Sequence, residues 1–447
     1  MPDLVEIVKN AGVIGAGGAG FPTHIKISGK PQTLIINGAE CEPLIYVDRY
    51  LLRHEKETLI SGLTALTEHL QPTEIYLGLK HKNVQLLHQW TEILKPLNAS
   101  VVPLDDFYPA GDEQILVYEA TGKVVPPGGI PLDVGTLVLN VETLFNIGRA
   151  VAGYAVTDKY LTVTGAVRQA GTFRVPVGTR YGDLLERAGG MTEEDCVFLA
   201  GGPMMGKIVH DVDDCVSKAT KAFIVLPKRL QFISKMLASW ENTVRRSKSS
   251  CELCQMCTDM CPRFLLGHPL KPHAFMRLTN YVKDLDTVPP EAFLCVECGI
   301  CENFACPVNI SPRTVIKKVK ELAREKGFRY MKGTGYSGVK GMRDFRKVPY
   351  KRLVQRLGLA AYDELPATFR NEWVAPVEVK LPLKPPFGAT RVPVVELGQI
   401  VRKGDLVADI PGEELSSKIH ASIDGRVTGL TAGFIAIRRE EMQDEKV

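Results

Sequence analysis

The sequence predicts an α/β multidomain protein, and three observations carry that prediction. Residues 1–155 alternate apolar strand-like runs with amphipathic helical stretches, the signature of a mainly parallel sheet under helices. Two short cysteine runs near residues 251–306 sit in otherwise helical sequence. The stretch from about Leu383 to Ile437 is β-rich and turn-rich. At 447 residues there is room for two to four domains.

In chain order, Leu4, Val5, Ile7 and Val8 mark a short helix, and Thr33–Asn37 reads as a buried strand. One helix is expected from about Val47 to His69. Glu74–Leu79 is a strand, Asn83–Leu94 a helix, and Val101–Leu104 and Thr136–Asn140 further strands. Tyr160–Gly165 and Gly171–Pro176 then read as a hairpin, followed by a short helix, Tyr181–Ala188, and Gly189-Gly190. That strand–strand–helix order predicts a small β-grasp module. Helical linker material runs from about Pro227 to Ser250, and a basic connector follows the cysteine region. The tail carries Val401, Gly404, Val407, His420, Asp424-Gly425 and Val427 in a pattern that resembles a lipoyl-like barrel-sandwich hybrid. Ile423-Asp424-Gly425 stands where a lipoyl Asp-Lys-Ala tip belongs, so the module reads as structural or docking. The expected domains are 1–155, 156–227, 228–325, a connector over 326–382, and 383–447.

The cysteines carry the chemistry. One run is Cys251-x-x-Cys254-x-x-Cys257-x-x-x-Cys261-Pro262, the other Cys295-x-x-Cys298-x-x-Cys301-x-x-x-x-Cys306-Pro307. This is the spacing of a two-cluster ferredoxin, in which three cysteines of a run hold one [4Fe–4S] cube and the fourth crosses to the other. Two intervening residues let consecutive thiolates curl round a cube corner, and the proline starts a helix. The expected ligand sets are Cys251, Cys254, Cys257 and Cys306 for one cube, and Cys295, Cys298, Cys301 and Cys261 for the other. Zinc sites favour paired CxxC units, and disulfide frameworks suit short secreted chains. Cys41, Cys196 and Cys215 stand alone, the last two expected as buried small hydrophobes.

Composition is ordinary, with 45% apolar and 24% charged residues. No apolar run approaches the ~18 residues of a membrane span. No signal peptide opens the sequence, and free thiols with clusters point to a reducing cytoplasm. A net charge of +4 hides an asymmetry: Arg313–Arg356 holds fifteen Lys and Arg against three acidic residues. No nucleic-acid motif accompanies that block, so it reads as a solvated surface offsetting cluster charge.

Gly15-Ala16-Gly17-Gly18-Ala19-Gly20 matches GxGxxG, and Glu40 lies about twenty residues on, as in a dinucleotide fingerprint. The context differs: a helix precedes the loop and Phe21-Pro22 follows it. The glycines are read as letting backbone N–H groups approach a phosphate or a flat ring. Asn37–Pro43, Tyr108–Glu113 and Asn140–Thr143 join it at strand ends, where ligands of α/β sheets sit. Their clustered acids also suit general acid/base groups or Mg²⁺ ligands.

With these motifs in view the chain resembles the flavin- and NADH-binding subunit of respiratory complex I, RnfC-type electron-transfer proteins and, most fully, the PduS-type cobalamin reductases of propanediol-utilising microcompartments. The likeness runs through residues 17–23, 39–43, 108–113, 201–206, both cysteine runs and 420–425. The four-residue gap before Cys306 and the C-terminal barrel fit the last group; RnfC-type proteins carry a similar barrel at the N-terminus. The resemblance implies an N-terminal α/β FMN/NADH-binding domain, an SLBB-like β-grasp module, a helical two-[4Fe–4S] domain and the barrel-sandwich hybrid. It implies FMN against Gly15, Gly17, Gly18 and Gly20, with Lys26 near its phosphate or ring and Asn37, Glu40, Gly111, Asn140 and Thr143 as further contacts. It implies NADH against Phe21, Glu42, Tyr108 and Glu113, with Phe21 stacking on the nicotinamide. This chain departs from the complex I pattern at Ala39, Asp112 and Leu139, where Asp, Glu and Asn are usual.

The implied activity is NADH-dependent reduction of cobalamin, cob(III) and cob(II) toward cob(I), to regenerate coenzyme B12 for a diol dehydratase. Electrons would run from NADH through FMN and the cubes to cobalt. Implied partners are a corrinoid, a cobalamin adenosyltransferase and shell proteins, with the chain inside a bacterial microcompartment. By fold analogy the β-grasp module is a corrinoid contact. The competing expectations are an RnfC-like electron-transfer subunit and a redox relay across a protein shell.

Overall fold

The computed structural model describes residues 3–281, 288–363, 369–370 and 375–440. Residues 364–368 and 371–374 of the expected connector, and 441–447 of the expected tail, lie outside them. The first sheet has four parallel strands, β1 (Thr33–Asn37), β2 (Glu74–Lys80), β3 (Ser100–Leu104) and β4 (Thr136–Asn140), in the order β3-β2-β1-β4. Asn37 at the end of β1 faces Gly78 on one side and Asn140 on the other. Alternation along β1 serves two cores. Leu34 and Ile36 join Leu59, Leu63, Leu144 and Ile147, while Ile35 joins Ile115, Leu116 and Val117. Helices therefore cover both faces, as parallel sheets require. The chain order reverses between β1 and β4, so a crevice opens beyond their carboxyl ends.

The single helix expected over 47–69 is two, Val47–His54 and Lys56–Leu70. Glu55 leaves helical geometry at φ −116°, ψ 36°. Its carboxylate accepts a 3.0 Å hydrogen bond from the Tyr160 hydroxyl. A tertiary contact outside the segment thus accompanies a break that propensity does not foretell.

The second sheet is the expected β-grasp arrangement. The hairpin Asp158–Gly165 with Gly171–Pro176 is antiparallel, and Ala222–Pro227 runs parallel to its first strand. Cys196–Ala200, Lys207–Val209 and Phe369–Arg370 complete six strands. The helix Tyr181–Arg187 covers one face, with Tyr181 stacked on Phe223 at 4.9 Å. Cys196 and Cys215 are only half-buried, against expectation. Cys196 begins a strand, and the Cys215 thiol donates to Asp213 O in a turn.

The cysteine region is helical, with Trp240–Ser250, Pro272–Tyr281 and Pro312–Glu325 around short turns. Pro262 opens a helix directly after Cys261, as its fixed φ favours. The tail forms two facing sheets, of four and three strands, closed over Val379, Leu381, Val407, Ile423, Val427 and Ile435. It packs on the β-grasp module through Ser422 Oγ donating to Val177 O at 2.6 Å and through the Lys403–Asp158 ion pair at 2.8 Å. Among the described residues no helix is long and apolar enough to cross a membrane.

Candidate functional site

The crevice at β1 and β4 is lined by the glycine loop. Ala16 N donates to Thr143 Oγ1 at 2.9 Å, which ties the loop to the helix that follows β4. A side chain on Gly17 would meet Asn140 Cβ at 3.6 Å, and Gly18 adopts φ +115° over open space. Gly17, Gly18 and Ala19 are exposed, and their N–H groups have no protein acceptor among the described residues. Such a loop is the fit a phosphate or flat ring requires. Asn37 Nδ2 donates to Gly111 O at 2.8 Å, and Asn140 Nδ2 to Asp48 Oδ2 at 2.9 Å. Lys26 Nζ bonds Val138 O at 2.8 Å and Glu113 Oε1 at 2.7 Å. The structure thus gathers Gly15, Gly17, Gly18, Gly20, Lys26, Asn37, Gly111, Asn140 and Thr143 at one end of the sheet.

Glu40 is placed differently. Its carboxylate accepts from Asp48 N at 2.7 Å and from Arg49 Nε at 2.7 Å, at the start of the helix Val47–His54. It serves as the anion of that helix N-terminus rather than a group facing the crevice. Burial raises its pKa, with Arg49 opposing.

Glu42 and Tyr108 lie deeper. Glu42 Oε2 accepts from Met204 N at 3.0 Å, so a loop of the β-grasp module closes on it. Tyr108 OH donates to Cys298 O at 2.8 Å and stands 3.4 Å from Glu42 Oε1. A phenol has one proton, and the shorter contact takes it. Burial pushes the Glu42 carboxyl up to about 7, with Met204 N–H and Arg313 opposing. Arg313 itself donates to Met204 O and pairs with Glu302 at 3.2 Å. Phe21 is half-buried, its ring 5.1 Å from that of Phe387 at 52°. Glu113 is exposed and held by Lys26.

Cysteines of both runs act on one another electrostatically. Burial pushes Cys257 up to about 12, and Cys306, Cys254 and Cys251 add to it. Cys301 is raised by burial and then by Cys295, Cys298, Glu302 and Cys261. Each fourth cysteine therefore neighbours the other run. Both runs make the same turn: Leu253 (φ 52°) and Gln255 (φ 63°) match Glu297 (φ 59°) and Gly299 (φ 79°) around their second cysteines. Left-handed residues there aim successive N–H groups inward, and Glu297 N donates to Cys295 Sγ at 3.4 Å. Among the described residues no three side chains converge as ligands of one metal ion do. Cys254 is exposed, while Cys261, Cys295 and Cys301 are buried; in the second run Cys298 O meets the Tyr108 hydroxyl, and Gly299 lies against Met204.

Three contacts were not foreseen from the sequence. Arg263 clamps Asp112 at 2.7 and 2.9 Å, Arg313 and Met204 meet across modules, and Phe387 reaches Phe21. The one available signal was Arg263's position directly after Cys261-Pro262.

Four families match in order along the chain. The Nuo51 FMN-binding domain matches residues 8–149, the SLBB domain 160–207, the 4Fe–4S dicluster domain 250–311 and the RnfC barrel-sandwich hybrid domain 371–443. The expected module order and the two cofactor types are borne out. The chain is similar to cobalamin reductase PduS of Citrobacter freundii, 39% identical over 97% of this chain and 96% of that one. It is similar to cobalamin reductase PduS of Salmonella typhimurium, 38% identical over 98% and 96%. It is also similar to one subunit of the proton-translocating ferredoxin:NAD(+) oxidoreductase complex of Clostridium ljungdahlii, 30% identical over 59% of this chain and 56% of that one.

Proposed function

The chain belongs to the family of PduS-type cobalamin reductases, and from that membership we propose that it is an NADH-dependent reductase delivering single electrons to a corrinoid. The observation that carries the proposal is the Tyr108 hydroxyl on Cys298 O, which joins the FMN-binding domain to the inner thiol foursome by one hydrogen bond. Supporting it, the outer foursome opens to solvent at Cys254, where an acceptor can approach.

In this reading the N–H groups of Gly17, Gly18 and Ala19, with Lys26, hold the flavin phosphate or ring edge. Asn37, Gly111, Asn140 and Thr143 fix the loop that receives it. Bound FMN would supply the exchange between a two-electron hydride donor and one-electron carriers. Phe21 offers a ring face to the dinucleotide, and Tyr108 and Glu42 close the inner wall. Glu113 neutralises Lys26 until an anion takes its place. Cys261, Cys295, Cys298 and Cys301 hold the inner cube, and Cys251, Cys254, Cys257 and Cys306 the outer one. Cys261, Cys295 and Cys301 of the inner set are buried and Cys298 is half-buried, while exposure of Cys254 leaves the outer set open.

Reducing cob(II)alamin to cob(I)alamin is uphill from NADH unless cobalt loses its axial ligand or product is withdrawn. The reading therefore includes an adenosyltransferase as partner and a microcompartment as the place of work. The test is anaerobic NADH oxidation by the flavin- and cluster-loaded protein, with cob(III)alamin and cob(II)alamin offered in turn. Corrinoid reduction at the rate of NADH loss is expected. NADH oxidation with neither corrinoid reduced would sink the substrate assignment, and co-purification with membrane proteins would put the RnfC-like role in its place.

A further inference from the structure

We propose that Phe387, carried by the C-terminal barrel, is a binding residue of the dinucleotide site, forming with Phe21 an aromatic corner that receives one flat ring of a nicotinamide dinucleotide. This rests on the reading above, that NADH meets Phe21.

The two ring centroids are 5.1 Å apart and the ring planes are inclined at 52°. Both residues keep exposed surface, and at that angle a planar heterocycle stacked on one ring would present its edge to the other. Offset-stacked and edge-on contacts are the arrangements aromatic rings favour. Phe387 is 44% exposed, and Phe21 keeps part of its surface too. Two phenylalanines serving only as glue between modules would be expected to bury each other. The corner also stands beside the exposed Gly17–Ala19 turn, whose N–H groups await an acceptor. A ring platform next to an anion cradle is the pairing a nucleotide requires.

The barrel holds Phe387 in a fixed place. Gly388 follows it at φ +101°, and a side chain there would lie 2.0 Å from Leu415 O, so this turn needs glycine. Ala389 N donates to Leu415 O at 2.8 Å, and Ser416 Oγ to Ala389 O at 2.9 Å. Buried Arg391 anchors the other end, with Nε on Ser417 O at 2.6 Å and Nη2 on Ser417 Oγ at 2.7 Å. The same segment is tied to the N-terminal domain by Lys218, whose Nζ donates to Gly12 O and Lys418 O, both at 2.8 Å. Pro386 then seats on Gly20, where an added Cβ would stand 3.0 Å from its ring. The barrel thus presents Phe387 to the glycine loop on a rigid turn, which keeps the ordering cost of binding low.

The test is equilibrium binding of NAD⁺ to the full-length, flavin- and cluster-loaded, oxidised protein by calorimetry, for wild type, Phe387→Leu and Phe387→Tyr. Leucine keeps the apolar bulk and removes the ring; tyrosine keeps the ring. Phe387→Leu should weaken NAD⁺ binding roughly three- to tenfold, with flavin and iron content unchanged, and Phe387→Tyr should bind as wild type does. ADP-ribose in parallel identifies the ring: an equal loss places adenine in the corner, and no loss places nicotinamide there. Wild-type or tighter NAD⁺ binding by Phe387→Leu would overturn the proposal, since a ring that merely plugs the site improves binding when removed. Failure of Phe387→Tyr to restore affinity would overturn it as well. No NAD⁺ binding by the wild type would instead overturn the NADH reading, and this inference with it.

Discussion

Glu42 joins three modules through two contacts, Met204 N from the β-grasp loop and Tyr108, which itself reaches Cys298. Its carboxyl is pushed up to about 7 by burial. The folded protein therefore keeps a proton that the unfolded chain, at the ordinary glutamate value of 4.5, gives up earlier. The Glu42 contribution to stability is greatest on the acid side. It falls as pH rises from about 4.5 to about 7, then levels off. Glu42→Gln keeps an oxygen for Met204 N and removes the titration. The variant should gain stability over wild type as pH rises from 5.5 to 7.5, by about 2 kcal/mol. Paired unfolding curves at the two pH values measure it, and a constant offset between the proteins would contradict it. Glu42 was legible as a candidate site residue from its place after β1. Its partner Met204 was not, because 162 residues separate them and a backbone donor leaves no mark in a side-chain pattern.

At the scale of elements, each cysteine run is a pre-bent turn rather than a flexible loop. Leu253 at φ 52° is an uncommon conformation for a bulky residue, accepted in the first run where the second also turns left-handed. The proposed crossing of the fourth cysteines gives a direct prediction. Cys306→Ser should abolish the same EPR signal as Cys254→Ser, and Cys261→Ser the same signal as Cys298→Ser. Each should leave the flavin in place and remove about half the iron. Matching losses within a run, rather than across runs, would refute the crossing. A second prediction concerns the helices behind the flavin loop. Lys56–Leu70 and Val141–Val151 approach so closely that a Cβ on Gly148 would lie 2.1 Å from Thr58 O. Gly148→Ala should cost about 1–3 kcal/mol in denaturant unfolding. The strands and the cysteine turns could be read in advance because apolar period and ligand spacing are local. The break at Glu55 could not, since its partner Tyr160 lies in another module.

For the whole molecule, the module order was written in local motifs, but the docking between modules depends on single long-range contacts. Lys218 is the sharpest case: a buried ammonium that donates to Gly12 O and Lys418 O, 206 and 200 residues away. Burial holds its pKa well below the usual lysine value, with Arg391 adding to the effect. Such a group is costly, and the two carbonyls are what it satisfies. Lys218→Met keeps the stem and removes the donors, leaving both carbonyls unpaired at the seam between glycine loop and barrel. Amide exchange should then quicken by about tenfold or more at Ala421 and Gly12. Exchange in β1, β4 and the helix Pro312–Glu325 should stay at the wild-type rate. Because the same seam fixes Phe387 against Phe21, NAD⁺ affinity should fall together with barrel protection. A loosened barrel with undiminished NAD⁺ binding would separate the two, leaving the C-terminal module attached to the site but not part of it.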